Sequence, residues 1–315
     1  MRLARLAAIR FGSSVLTLLL VSLLIFAAVE VLPGDVASRV LGREATPAAV
    51  TAMRAELHLT DPAAARYLRW LRGVAQGDFG TALSSGRRVG EIVRPRLFNT
   101  AILSAFAFLL YWPFALIPAI IQARHRDGPT DHALSVVNLV LLSMPDFLLA
   151  TVLLIVFVIL IPVLPAMSTV DARSGIAGYA RAIVLPGVTL ALVMAAYAVR
   201  MLRDNLIEVL QSDYVRMAEL KGLSPRSVVL RHALPNALIP TLNVTALNLG
   251  YLIGGVVIVE KVFAYPGFGS LLVDSLQLRD VPLILATVLL ASAIYIAANL
   301  VADLAAMLLN PRLRG

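Results

Sequence analysis

The sequence predicts an all-α, polytopic membrane protein with six transmembrane helices, and three observations carry that expectation. Hydrophobic residues fill 59% of the 315 positions and charged residues only 15%, with a mean hydropathy of +0.86, too apolar for an ordinary water-soluble domain. The apolar residues gather in six runs, at 11–32, 99–123, 134–163, 182–201, 237–259 and 282–308, each about as long as the roughly 20 residues a span needs. A segment in hydrocarbon must satisfy its own backbone, which leaves the helix as the natural state of such runs.

The elements follow in order. Arg2, Arg5 and Arg10 precede the first run, which is longer than the ~7 to 15 apolar residues of a secretory signal and has no clean Ala-x-Ala site after it, so it is read as a retained span. In the long connection at 33–96, Thr46 and Pro47 open a helix through Leu57. Asp61 and Pro62 open a second, with Tyr67, Trp70, Leu71 and Val74 on one face and Arg66, Arg69 and Arg72 on the remainder. Such helices suit the outer ends of the spans, lying along the membrane surface. The third run is interrupted by Pro145 and Asp146; proline removes a backbone donor and frees carbonyls there.

Between the fourth and fifth runs lies the polar, basic stretch QSDYVRMAELKGLSPRSVVLRHALPNALIP, residues 211–240. Ser212 or Asp213 is the candidate N-cap of a helix from Tyr214 to Lys221, and Gly222 suits the left-handed residue that ends it. Ser224 and Pro225 supply a second N-cap and first-turn pair, launching a helix from Ser227 to Leu234. A plain connection between spans needs no such order. The pattern reads either as a surface that docks on another protein or as a capped link between two spans. In the fifth run, Asn243, Thr245, Asn248 and Tyr251 accompany Gly250 and Gly254, a spacing that permits close helix approach. Glu260, Asn299 and Asp303 fall toward span ends and read as interfacial or packing residues.

Basic residues set the expected orientation. Arg124 and Arg126 lie between the second and third runs, Arg200, Arg203, Arg216, Lys221, Arg226 and Arg231 lie around the hairpin, and Arg312 and Arg314 close the chain. The other short connections offer mainly Arg173, Arg181, Lys261 and Arg279, so both termini and the hairpin are expected in the cytoplasm. The Arg-bearing connection at 33–96 is long, and long translocated loops escape the charge rule.

The same sequence excludes several function classes. The net charge of +8 is spread along span borders without the interleaved aromatics of a nucleic-acid surface. There is no cysteine, hence no disulfide or thiolate site. The only lysines, Lys221 and Lys261, end no Gly-rich phosphate loop, so the chain has no nucleotide-hydrolysing motif of its own. Neither a His-Glu-x-x-His nor a Gly-x-Ser-x-Gly motif occurs, and His58, His125, His132 and His232 are dispersed, so no metal site or hydrolase is expected.

Gly222, followed after nine residues by His232, Ala233, Leu234 and Pro235, resembles the cytoplasmic signature of binding-protein-dependent ABC import permeases, Glu-Ala-Ala, three residues, Gly, nine residues, Ile-x-Leu-Pro. Ala218, Gly222, Leu234 and Pro235 match; Arg216, Met217 and His232 depart from it in the manner of the dipeptide, oligopeptide and nickel importer branch. LPGD at 32–35, HLTDP at 58–62, YLRWLRGVAQGDFG at 67–80, EKVFAYPGFGSLL at 260–272 and RDVP at 279–282 are similar to segments of that branch in its order. NPRLR at 310–314 resembles its DPRxR with Asn310 for Asp, and Leu285 stands near a common Gln. The resemblance covers nearly the whole chain, and the long connection after the first span favours the first-type permease subunit.

The resemblance implies a type I ABC importer transmembrane domain in a bacterial inner membrane. Its organisation would be residues 1–96 as first span and outer loop, 97–309 as the five-helix core with a coupling hairpin at 203–236, and 310–315 as a tail. It further implies a second homologous permease, two ABC ATPase subunits or domains that carry ATP and Mg, and an extracytoplasmic solute-binding protein, for which the helices at 46–74 are a candidate docking surface. This chain would hold no cofactor. Arg216, Ala218, Glu219, Lys221, Gly222, Leu223, Leu234 and Pro235 become candidate ATPase-coupling residues, with Gly222 fixing the angle of the hairpin. Polar groups in spans mark pathways because each is costly in lipid, so Asp146, Asn243, Thr245, Asn248 and Tyr251 are candidate pathway residues. Two alternatives stay open: that Asp146 and the span-five residues only satisfy neighbouring helices, and that the chain is a proton-coupled secondary transporter using Asp146.

Overall fold

The computed structural model describes residues 2–31, 46–56, 60–169 and 175–309; within them the side chains of 2–8, 56, 176, 243, 244, 246, 247, 249–251, 253, 254 and 301–309 lie outside the description. The motif residues at 32–35, 58–59 and 310–314 and the charge at Arg173 therefore fall outside it, as do the side chains of Gly250, Gly254 and Asp303. Twelve α-helices follow one another among the described residues: α1 Arg2–Val31, α2 Pro47–Glu56, α3 Ala63–Ala75, α4 Val89–Arg124, α5 Pro129–Ser143, α6 Asp146–Leu154, α7 Gly175–Leu210, α8 Asp213–Leu220, α9 Pro225–Ser227, α10 Leu234–Val262, α11 Phe268–Leu278 and α12 Val281–Leu309. Two wider π-helical stretches extend them, Ile155–Leu160 after α6 and Val228–Ala233 between α9 and α10. An isolated antiparallel bridge joins Thr81 and Arg88.

Four helices among the described residues are long and apolar enough to cross a bilayer, and α5 with α6 and its π extension makes a fifth if the bent pair is one span. α10, 29 residues long, covers the fifth expected run. The third run departs from its expected form. It is two helices bent by 113° rather than one kinked helix, because Met144 and Pro145 are both extended and Pro145 starts α6 afresh. The short apolar helix α11 had no counterpart among the six expected spans.

Packing divides the chain into two units, residues 1–98 with 271–315, and residues 99–270. In the first, α1 packs along α12 and α3 against α1. The expected apolar face of α3 is what makes this contact: Phe26 of α1 meets the rings of Tyr67 and Trp70 at 5.3 and 6.5 Å, the hydroxyls of Ser22 and Tyr67 lie 2.8 Å apart, and Arg66 pairs with Glu30. Buried Asp280 caps α12 by accepting from Leu283 N and also accepts from Ser84 N, at 3.3 and 2.7 Å.

In the second unit α7 is central, contacted by α5, α6 and α10. Leu103, Tyr111, Leu190, Met194, Val256 and Phe263 form its core. Val136, Leu139 and Val140 of α5 and Leu109 and Ile117 of α4 stay exposed, an outward apolar surface appropriate to lipid and costly in water.

Candidate functional site

The stretch from Ser212 to Pro235 forms the ordered helical hairpin that its residues predict. Ser212 is extended at the N-cap of α8, although its hydroxyl turns back to donate to Val209 O at 2.5 Å. After α8 the chain reverses at Gly222, whose φ of +76° is left-handed and costs a residue with a Cβ about 1 to 2 kcal/mol. Ser224 caps the next turn by accepting from Ser227 N, with Pro225 at the first helical position. The chain then widens into the π turn Val228–Ala233 just before Pro235. Proline has no N–H and its ring crowds the carbonyl four residues back, and the wider turn relieves that conflict.

What holds the hairpin is small. Val215, Ala218 and Val228 are buried together against Val209 and Leu210, and Asn236 donates to Tyr214 Oη at 2.9 Å and to His232 O at 3.0 Å. Of the eight candidate ATPase-coupling residues, Arg216, Glu219, Lys221, Gly222, Leu223 and Pro235 are exposed, Leu234 is half-buried, and Ala218 is buried in the packing of the hairpin. The sequence reading missed the apolar content of this outer face: Tyr214, Met217, Leu220 and Leu230 are exposed among the charges, Leu220 at 76%. Their helical spacing on α8 was the available signal, since Tyr214, Met217 and Leu220 recur every three residues.

The expected pathway residues whose side chains are described lie on two helices, Asp146 on α6 and Thr245 and Asn248 on α10. Asp146 sits half-buried in the first turn of α6, directly after the bend. Thr245 shares a hydrogen bond of 2.8 Å with Tyr111 of α4, and Asn248 donates to Met194 O of α7 at 3.1 Å. Both therefore tie α10 to its neighbours. The side chains of Asn243 and Tyr251 lie outside the described residues.

Two polar centres take their form only in the structure, the first around Glu260, which the sequence marks as an interfacial or packing residue. Glu260, fully buried at the end of α10, accepts from Thr100 Oγ1 at 2.5 Å and from Ser270 N at 2.8 Å, while Thr100 Oγ1 accepts from Phe268 N at 2.7 Å. Gly267 and Gly269 are required here: a Cβ at Gly267 would overlap the Glu260 carboxylate, and one at Gly269 would stand 2.7 Å from Val257 Cα. Tyr265 Oη donates to Asn99 O at 2.7 Å and Asn99 Nδ2 to Pro266 O at 2.8 Å, closing the turn onto the start of the second unit. The second centre is Asp131 of α5, which takes Arg203 Nε and Nη2 at 2.8 and 2.5 Å in a two-pronged pair. Arg203 had been counted only as a border charge. No cluster of metal-ligating side chains occurs among the described residues.

Comparison with known proteins gives a consistent result. Residues 112–315 match the family model described as binding-protein-dependent transport system inner membrane component, and residues 3–90 match the model for the N-terminal part of such membrane components. The chain is 34% identical over 305 residues to the probable peptide ABC transporter permease protein y4tP of Sinorhizobium fredii, covering 97% of each chain. It is similar to the glutathione transport system permease protein GsiC of Escherichia coli, 37% identical over 298 residues and 95% of each chain, and to GsiC of Pectobacterium atrosepticum, 38% identical over the same length and share.

Proposed function

Because this chain belongs to the inner membrane components of binding-protein-dependent transport systems, we propose that it forms half of the translocation pore of an ATP-driven importer for peptides or related small solutes such as glutathione. The family makes it a multi-pass inner-membrane transport subunit, one member of an ABC importer complex. Its partners in this reading are a second, homologous permease, two ABC ATPase subunits or domains that bind ATP and Mg, and an extracytoplasmic solute-binding protein. Both termini and the hairpin face the cytoplasm.

The observation that carries this reading is the hairpin surface. An ordered pair of helices presents Tyr214, Met217 and Leu220 together with Arg216, Glu219 and Lys221 to solvent, a mixture of apolar anchors and charges suited to a protein partner. In this role closure of the ATPases on ATP displaces α8. The π turn and α10 then carry the displacement into the spans as a rigid-body change between inward-open and outward-open forms. Ala218 contributes by packing, with Val215 of α8, against Val228. Gly222 contributes by setting the angle at which α8 is presented, and Leu234 with Pro235 by joining the hairpin to α10.

The test is recovery of the tagged chain from native membranes in mild detergent, with ATPase activity assayed on whatever accompanies it, for the natural chain and for Gly222→Val. The expected result is co-purification of a second permease and ATPase subunits with the natural chain, and loss of ATPase recovery with the variant at unchanged membrane insertion. A natural chain that purifies alone, or a variant that retains full ATPase recovery and transport, overturns the coupling role.

A further inference from the structure

Two clefts meet at Asn138 in the unit formed by residues 99–270. The first, about 250 Å³, is apolar and lies between α4, α5 and α7, with Phe114, Ile117, Leu134, Val137 and Leu192 among its walls. The second, about 380 Å³, is lined by Gln122, Ser135, Leu139, Arg200, Arg203 and Asp204. Asn138 lines both. Arg200 directly follows the apolar stretch 182–199 of α7, so the polar cleft sits at the border of the apolar belt, the depth of lipid headgroups.

The unmet hydrogen-bonding groups in that polar cleft are mixed in sign. Arg203 is satisfied by Asp131 and Asp204. The Arg200 guanidinium has no partner among the described residues, and neither has the amide of Asn138, which is nine-tenths buried. Gln122 donates through Nε2 to Ser135 Oγ at 2.9 Å, yet its Oε1 is buried and without a hydrogen bond. Asp204 uses one oxygen on Arg203 and is otherwise open. Buried polar atoms are almost always paired, which applies to Gln122 and Asn138, while Arg200 and Asp204 stand exposed beside them; one group that accepts from Asn138 and Arg200 and donates to Gln122 and Asp204 serves all four.

We infer that these clefts bind an aminophospholipid, phosphatidylethanolamine, with its phosphate on Arg200 and Asn138, its ammonium toward Gln122 Oε1 and Asp204, and one acyl chain in the apolar cleft. Charge complementarity selects this occupant. Two arginines, Arg200 and Arg203, stand against two aspartates, Asp131 and Asp204, both held by Arg203, so the surroundings of the cleft are near neutral, which matches a zwitterionic headgroup better than a purely anionic one. A choline headgroup has no N–H to give Gln122, and a glycerol headgroup has no cation for Asp204. Lipid recognition by polar clefts between membrane helices follows the same electrostatic rules as other sites, and the chain adds apolar burial.

The experiment is native mass spectrometry of the full-length chain in mild detergent micelles doped with phosphatidylethanolamine, phosphatidylglycerol or phosphatidylcholine of identical acyl chains. Phosphatidylethanolamine is expected to be retained preferentially. Retention should fall about tenfold in Arg200→Gln and in Asn138→Leu, the scale of one charge-assisted hydrogen bond, and comparably in Val137→Trp, which fills the apolar cleft from its exposed rim. Soluble phosphoethanolamine should not displace the lipid. Equal retention of the three lipids, retention unchanged by the variants, or displacement by phosphoethanolamine at the same concentration overturns the proposal. So does crosslinking from position 137 to a second membrane subunit, rather than to lipid, in native membranes.

Discussion

The Gly222 hairpin and the Glu260 turn both depend on a glycine that no other residue replaces cheaply, and they use it to opposite ends. At Gly222 nothing stands within 4 Å of where a Cβ would go, and the glycine serves only a left-handed φ. At Gly267 the space is filled by a carboxylate pinned from two sides. The hairpin buries small residues, Val215, Ala218, Val228, Val229 and Ala233, and exposes its large ones, whereas the turn buries Phe263, Tyr265 and a carboxylate. A surface that must meet another protein keeps its energy in reserve for that meeting. A turn that must hold two helices together has already used it, since a buried carboxylate is tolerable only when it is hydrogen-bonded.

That contrast is broken most directly at the turn. Glu260→Leu strands the Thr100 hydroxyl and Ser270 N without an acceptor and is expected to destabilise by about 3 kcal/mol or more, read as thermal unfolding of the detergent-solubilised chain. Full stability in that variant would mean the carboxylate is incidental. Thr100→Val deprives both Glu260 and Phe268 N of a partner and should cost about 1 to 3 kcal/mol in the same assay. At the hairpin, Gly222→Val meets only the strain of its backbone, about 1 to 2 kcal/mol, and its effect should appear chiefly as ATPase lost from the pull-down. Leu220→Ser is the sharpest discriminator, because it is expected to leave stability within about 0.5 kcal/mol while weakening ATPase recovery as strongly as Gly222→Val. If Leu220→Ser unfolds the chain, the exposed face is structural and the contrast fails.

The sequence made the hairpin legible because its information is local. A cap, a helical period, a left-handed glycine and a proline at the first turn sit within thirty residues of one another, and each is a statement about its own backbone. Helices within apolar runs were legible for the same reason. Glu260 was read as an interfacial or packing residue from its place near a span end; its partners include Thr100 and Ser270, one of them 160 positions away, and no spacing announces such a meeting. Asp131 and Arg203 were invisible as a pair for that reason too, at a separation of 72. Thr245 and Asn248 were recognised as polar residues in a span, but which helix each addresses is a property of the packed bundle. The bend before Asp146 was half-seen. Pro145 marked the break, while its angle depends on how α5 and α6 each lie against α7.

That bend bears on how the protein is made. At 1.5 Å per residue the 15 residues of α5 extend only about 22 Å, and α6 with its π extension is about as short, whereas the hydrocarbon layer is about 30 Å deep. Neither half is long enough to bridge the membrane alone. The surface that receives both halves belongs to α7, which is synthesised later. The packing surface for residues 129–160 is therefore supplied by residues translated after them.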